Sequence, residues 1–155
     1  MKPYADTNFI TSLFCQGPNT EEATRLHRLA GSLDAVAYPV SLICRLEVIN
    51  ALQHAVFSTR NGVPGMQVNR EYALVAEVMF LEQMAAGSEF QSAAVDERVL
   101  ERRFHALVHR HTAKEGFRTY DILHVSTALA LGCDTFWSFD IKAKKLARLE
   151  GLAVN

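Results

Sequence analysis

Apolar and polar positions along this chain change period repeatedly, which predicts short strands separated by helices. Residues 2–5 read as an extended start that runs into the polar turn Asp6-Thr7-Asn8, after which Phe9, Ile10, Leu13 and Phe14 fall at helical spacing. Residues 21–33 carry apolar side chains at 23, 26, 29, 30 and 33, with Gly31 near the expected helix end. A strand over 35–40 follows, and Ser41 is placed to cap a long helix over 42–57. The stretch 58–64, with Asn61-Gly62 and then Pro64-Gly65, is the clearest loop. Helical spacing resumes over 68–86 and stops at Gly87-Ser88, residues 90–95 read as a strand, and 96–113 read as a helix striped by Leu100, Phe104, Leu107 and Val108. Thr119 is placed to cap a helix over 120–131, residues 135–139 read as a strand, Asp140 caps 141–149, and 152–154 reads as a last edge strand.

Helix and strand therefore alternate from end to end. Parallel strands need helical crossovers, so the expected architecture is a single α/β domain over 1–155, with a parallel sheet between helical layers. Composition agrees: 49% of residues are apolar and 21% charged, as in a packed globular protein. The three cysteines, Cys15, Cys44 and Cys133, lie far apart among apolar neighbours and read as reduced core residues, which points to a cytoplasmic protein. No run approaches the roughly 18 apolar residues of a membrane span, and no signal peptide is expected. The net charge of −1 lacks the strongly basic balance of a nucleic-acid binder, so any polyanion has to be met by a local patch or by metal ions.

In an open parallel sheet the ligand site forms beyond the carboxyl ends of the strands. Asp6 ends the first strand, Asp140 follows the strand containing Trp137 and Ser138, and Asp121 opens the helix before that strand. Asp6 and Asp140 are also ordinary helix caps. Glu47 differs. Its neighbours Leu46, Val48 and Ile49 suggest a helix buried on several sides, where an unpartnered carboxylate costs several kcal/mol and needs a cation or donor. Arg45 is the competing partner, although residues two apart in a helix face different ways. Four crowded carboxylates need positive charge between them, and a hard divalent cation suits oxygen ligands where zinc would favour His or Cys. His105, His109 and His111 read as a solvated helix face rather than a zinc site.

Tyr4-Ala5-Asp6-Thr7-Asn8, Glu47, Thr119-Tyr120-Asp121-Ile122-Leu123-His124 with Ala128, and Asp134-Thr135-Phe136-Trp137-Ser138-Phe139-Asp140 together resemble the PIN-domain nuclease family. Within it the chain is most similar to the VapC-type toxins of bacterial and archaeal toxin–antitoxin pairs. The resemblance runs in order and spacing along essentially the whole chain. It implies a three-layer α/β/α fold with a central, mainly parallel five-stranded sheet, and an endoribonuclease dependent on one or two Mg²⁺ or Mn²⁺ ions. The four family acids fall on Asp6, Glu47, Asp121 and Asp140. Asn8 falls on a supporting polar position, and Ser138 on a supporting hydroxyl position that is often Thr. The resemblance further implies a small antitoxin partner and a homodimer.

Such an enzyme would hydrolyse an RNA phosphodiester with a metal-activated water and leave a 5′-phosphate. Two basic patches are candidates for the RNA backbone: Arg98 and Arg102, sharing a helix face with His105 and His109, and Lys142, Lys144, Lys145 and Arg148 after the last acid. The second adjoins the proposed metal site. Two other readings stand beside the nuclease. One is a catalytically silent PIN-like module that binds RNA or a protein, which would not need all four acids. The other is a metal-dependent phosphatase, whose common pattern has a second aspartate where this chain has Asp6-Thr7-Asn8. The loop over 58–65 matches no motif.

Overall fold

A computed structural model describes residues 1–32 and 37–155. Among the described residues, five short strands, β1 (Pro3–Ala5), β2 (Tyr38–Val40), β3 (Phe90–Ser92), β4 (Thr135–Trp137) and β5 (Ala153–Val154), alternate with helices. The helices are α1 (Thr7–Phe14), α2 (Thr20–Ser32), α3 (Leu42–Arg60), α4 (Arg70–Ala86), α5 (Glu97–Leu107), α6 (Ala113–Glu115), α7 (Thr119–Ala130) and α8 (Ile141–Leu149), with a π-helical turn Val108–Thr112 between α5 and α6. Of the strand expected over 35–40, Ala35 and Val36 lie outside the described residues, as does Leu33 of the preceding helix.

Every strand pair is parallel: β1 with β4, β4 with β5, and β2 with β3. Hydrogen bonds divide them into a three-stranded sheet, β1-β4-β5, and a two-stranded sheet, β2-β3, with β2 lying beside β1. Pro39 supplies a reason for the break. Tyr38 N–H donates to Glu89 O and Val40 O accepts from Ala93 N–H, so these two residues address β3. Pro39 then faces β1 with no N–H to give, and the ladder stops.

Side-chain alternation along β1 and β4 creates the layers. Ala5 and Trp137 point into a core built with α1, α2, α3 and α4, around Phe9, Phe14, Phe80 and Phe90. Tyr4 and Phe136 point the other way, into a core with Leu107, Phe117, Ile122, Val125 and Leu146 of the second half. The result is the expected α/β/α arrangement. From β1 the chain builds β2 and β3 on one side and β4 and β5 on the other, so the carboxyl ends of β1 and β4 form the crevice where such sheets bind ligands.

Caps set most helix ends. Ser41 Oγ accepts from Cys44 N–H at 3.3 Å and Asn69 Oδ1 from Tyr72 N–H at 2.7 Å, the latter placing the start of α4 two residues later than the apolar pattern suggests. Two expectations change. The cap of α7 is Arg118, not Thr119: its N–H donates to Asp121 Oδ2 at 2.9 Å. The helix over 96–113 is not continuous but passes through the π turn, with Leu107 its one buried residue up to position 113. Gly31 lies inside α2, and Gly87 ends α4 in the left-handed region, with φ 66°. Gly87→Ala is expected to destabilise the fold by about 1 kcal/mol, read as a lower urea midpoint with an unchanged slope. An unshifted midpoint would mean that α4 needs no left-handed cap.

Candidate active site

Four elements bring their polar ends to one cleft of about 370 Å³ beyond β1 and β4. Asp6 caps α1, Glu47 lies in the second turn of α3, Asp121 in the first turn of α7, and Asp140 caps α8; all four acids line this cleft. Asn8 lines it too, whereas Lys142, Lys144, Lys145, Arg98 and Arg102 do not.

Asp6 is the most constrained of the acids, and it is buried. Its Oδ1 accepts from Thr7 N–H at 2.6 Å, and its Oδ2 accepts from Ser138 Oγ–H at 2.7 Å and from the Asn8 amide at 3.2 Å. Asn8 Oδ1 in turn accepts from Phe139 N–H at 2.8 Å, and Ser138 Oγ accepts from Asp140 N–H at 2.9 Å. Asn8 and Ser138 therefore join the cap of α1 to the loop that carries Asp140. Both residues named as supporting thus contact the Asp6 carboxylate.

The other acids keep a free oxygen. Asp140 Oδ1 accepts from Lys142 and Ala143 N–H at 2.7 and 3.0 Å, as its capping reading expects. Asp121 uses Oδ2 on Arg118. Asp140 Oδ2, Asp121 Oδ1 and Glu47 Oε1 take no hydrogen bond among the described residues. The four acids share the cleft without closing on one point: among the described residues, no three His, Cys, Asp or Glu side chains are grouped tightly enough to cage an ion.

Glu47 is not buried as its neighbours suggest. Leu42 and Leu46 of α3 face outward at 59% and 55% exposure, and the Glu47 side chain itself is 27% exposed. Its partner is not Arg45. Glu47 Oε2 accepts from Thr7 Oγ1–H at 3.1 Å and from His124 Nε2 at 2.5 Å.

His124, inside the motif around Asp121, also lines the cleft, a place that no feature singled out in the sequence assigns to it. Its ring is buried, its Nε2 also lies 3.3 Å from Asp6 Oδ1, and its Nδ1 lies 2.8 Å from the Tyr4 hydroxyl. Nε2 faces only acceptors and so carries a hydrogen. Burial opposes a charge on this imidazole, but the charge of Asp6, the hydrogen bond and charge of Glu47, and the charge of Asp121 together hold its pKa above the ordinary value. Tyr4 stays a neutral phenol because burial, then nearby charge, pushes its pKa well up. The signal for His124 was its spacing: three residues after Asp121, on the same helix face.

The remaining candidates are surface groups. Lys145 Nζ pairs with Glu115 at 2.5 Å and Lys142 Nζ donates to Gly116 O at 3.1 Å, so part of the second basic patch braces α8 against the segment before α7. Arg98 and Arg102 are exposed. His111 pairs with Glu150 at 2.7 Å, and His105 and His109 are exposed. The three cysteines are free and buried, and burial pushes the thiol of Cys15, which lines the cleft, up to about 11, so it is not a ready nucleophile. Among the described residues no helix is long and apolar enough to cross a membrane.

No family model matches the chain, and no curated protein matches it in sequence. Solved structures do. VapBC2 from Rickettsia felis, bound to a DNA fragment from its promoter, superposes with a TM-score of 0.65 at 15% identity, covering 100% of this chain and 98% of that one. VapBC-1 from nontypeable Haemophilus influenzae gives 0.63 at 16% identity, covering 100% and 97%. Mycobacterium tuberculosis VapC20, described as a sarcin-ricin loop cleaving toxin, gives 0.61 at 16% identity, covering 93% and 94%. At such identities the likeness speaks to architecture: over essentially its whole length, this chain has the PIN-like fold of the VapC toxin structures.

Proposed function

We propose that this chain is a divalent-metal-dependent endoribonuclease and the toxin of a toxin–antitoxin pair. The observation that carries the reading is the meeting of Asp6, Glu47, Asp121 and Asp140, from four separate elements, in one cleft at the switch point of the sheet. The likeness to VapBC structures supports a small antitoxin as partner, in keeping with the homodimer that the family resemblance implies.

The donor set fits a hard cation. The cleft offers carboxylate, amide and hydroxyl oxygens, the His124 imidazole has both nitrogens engaged, and the Cys15 thiol is protonated. Asp6, Asp121 and Asp140, with Glu47, would hold one or two Mg²⁺ or Mn²⁺ ions. Bound there, a divalent cation lowers the pKa of water and neutralises charge on the scissile phosphate.

The chain's own residues do the positioning. Thr7 N–H, Asn8 and Ser138 fix the Asp6 carboxylate before any ligand arrives, and His124 holds Asp6 and Glu47 at one nitrogen despite their mutual repulsion. Glu47 Oε1 faces no protein donor among the described residues and is the oxygen best placed to accept a hydrogen bond from the attacking water. Lys142 and Lys144, near the Asp140 cap, supply positive charge for the RNA backbone.

Purified protein incubated with mixed RNA and Mn²⁺ is expected to leave fragments with 5′-phosphate ends, to stop on adding chelator, and to resume with excess Mn²⁺. Cyclic-phosphate ends or cleavage in chelator would sink the metal-hydrolysis reading. Phosphate release from small esters without RNA cleavage would favour a phosphatase.

A further inference from the structure

Tyr4 and Asp6 stand two residues apart on β1 and its extended end, so both side chains leave the same side of the strand. Asp121 and His124 stand three apart on α7 and share a helix face. The second core, which holds Tyr4 with Ile122 and Val125 of α7, brings these pairs together. Tyr4 Oη lies 2.8 Å from His124 Nδ1, and His124 Nε2 lies 2.5 Å from Glu47 Oε2 and 3.3 Å from Asp6 Oδ1.

The far end of this line is fixed by packing. The Tyr4 ring is fully buried and stacked on Phe136 of β4, with 5.5 Å between centroids and 9° between planes, which leaves the phenol little room to turn. Because Nε2 carries a hydrogen, Nδ1 of the neutral ring accepts from Tyr4 O–H.

Packing alone asks less of a buried histidine, since one acceptor satisfies an N–H. Here one N–H faces carboxylates from two elements, and the two differ in what they have left. Asp6 has both oxygens engaged, by Thr7, Ser138 and Asn8. Glu47 lines the cleft with Oε2 taken by His124 and Thr7, and its Oε1 has no partner among the described residues. With Thr7, the imidazole decides which Glu47 oxygen is left for a ligand.

We propose that Tyr4 and His124 are positioning residues for Glu47: the phenol fixes the imidazole, and the imidazole holds Oε2, so that Oε1 is kept as an acceptor for the attacking water and is not drawn onto a cation. The inference rests on the ribonuclease reading and adds to it two residues, neither of them an acid, that set the pose of an acid. A carboxylate free to turn can give both oxygens to a divalent ion, gaining affinity and losing the acceptor.

The test compares wild type with Tyr4→Phe, His124→Phe, His124→Gln and the double variant Tyr4→Phe/His124→Phe, all in the full chain. Calorimetric titration with Mn²⁺ in the absence of RNA is expected to show every variant binding at least as tightly as wild type. At saturating Mn²⁺, Tyr4→Phe and His124→Phe are each expected to lose roughly tenfold or more in kcat, with KM little changed. His124→Gln, whose amide can donate to Glu47 in place of Nε2–H, should regain most of the loss. The double variant should be no slower than His124→Phe, because Tyr4 acts through the imidazole. In chelator, the Nε2-bound proton of ¹⁵N-histidine-labelled protein should give a downfield resonance that shifts in Tyr4→Phe and in Glu47→Gln. Tyr4→Phe removes one oxygen and keeps the test open should His124→Phe not fold.

An unchanged kcat, Mn²⁺ affinity falling together with rate, multiplying effects in the double variant, or a resonance unmoved by Tyr4→Phe would each overturn the proposal. If wild type cuts no RNA, the nuclease reading falls by itself. Undiminished Mn²⁺ binding with a shifted resonance then leaves the anchoring of Glu47 standing, and weaker binding or an unmoved resonance removes that as well.

Discussion

Asp6→Asn is expected to lower metal-dependent RNA cleavage by roughly 100-fold or more while leaving the fold intact. A divalent ion contributes several kcal/mol of transition-state charge stabilisation, and ~1.4 kcal/mol is tenfold in rate. Asp6 is the acid whose place is most completely set, by Thr7, Asn8, Ser138 and His124. Removing its charge should therefore weaken the whole ligand set. The same substitution is mild for stability, because asparagine caps helices about as well as aspartate and the repulsion between Asp6 and Glu47, which share His124, is relieved. The measurements are initial cleavage rates over a Mn²⁺ titration and urea unfolding of both proteins in chelator. Near-wild-type rates at saturating Mn²⁺ would remove Asp6 from the machinery. Loss of rate and stability together would reduce it to a helix cap.

The second large effect is expected at His124. Its Nε2–H is shared by Glu47 and Asp6, and no Lys or Arg pairs with either carboxylate among the described residues. His124→Phe keeps ring volume beside Tyr4 but leaves Asp6 and Glu47 repelling each other without a donor between them. Truncating one partner of a buried polar pair costs about 1–5 kcal/mol, and the partial exposure of Glu47 argues for about 2–3. In metal-free protein of this size that is a fall in Tm of roughly 5–10 °C. Mn²⁺ should narrow the gap, since a cation bound by the carboxylates neutralises the same charge. A deficit equally large with and without Mn²⁺ would show that His124 acts by packing alone.

How much of this was legible beforehand differs between the fold and the site. The caps at Asp6, Ser41 and Asp140, the stop at Gly87 and the order of strands and helices are local matters. Each depends on residues within a turn or two of one another, so the linear pattern carries them. The acids at strand ends were legible for the same reason, because the position of a strand end is itself local. Arg118 displaced Thr119 as the α7 cap because Asp121 supplies the capping acceptor for the Arg118 amide, a choice that residue types alone did not separate.

The sequence by itself determined an alternating α/β chain, its parallel strands, and four carboxylates at the ends or starts of elements that such a sheet turns toward one crevice. Tertiary structure decided the rest. It set His124 against Glu47, 77 residues away, broke the sheet beside Pro39, left Leu42 and Leu46 outside the core, and docked the 61–69 loop so that Met66 entered the cleft. The physical reason is range. Periodicity and capping report interactions between chain neighbours, whereas the partner of a buried donor or acceptor is whichever group packing brings within about 3 Å.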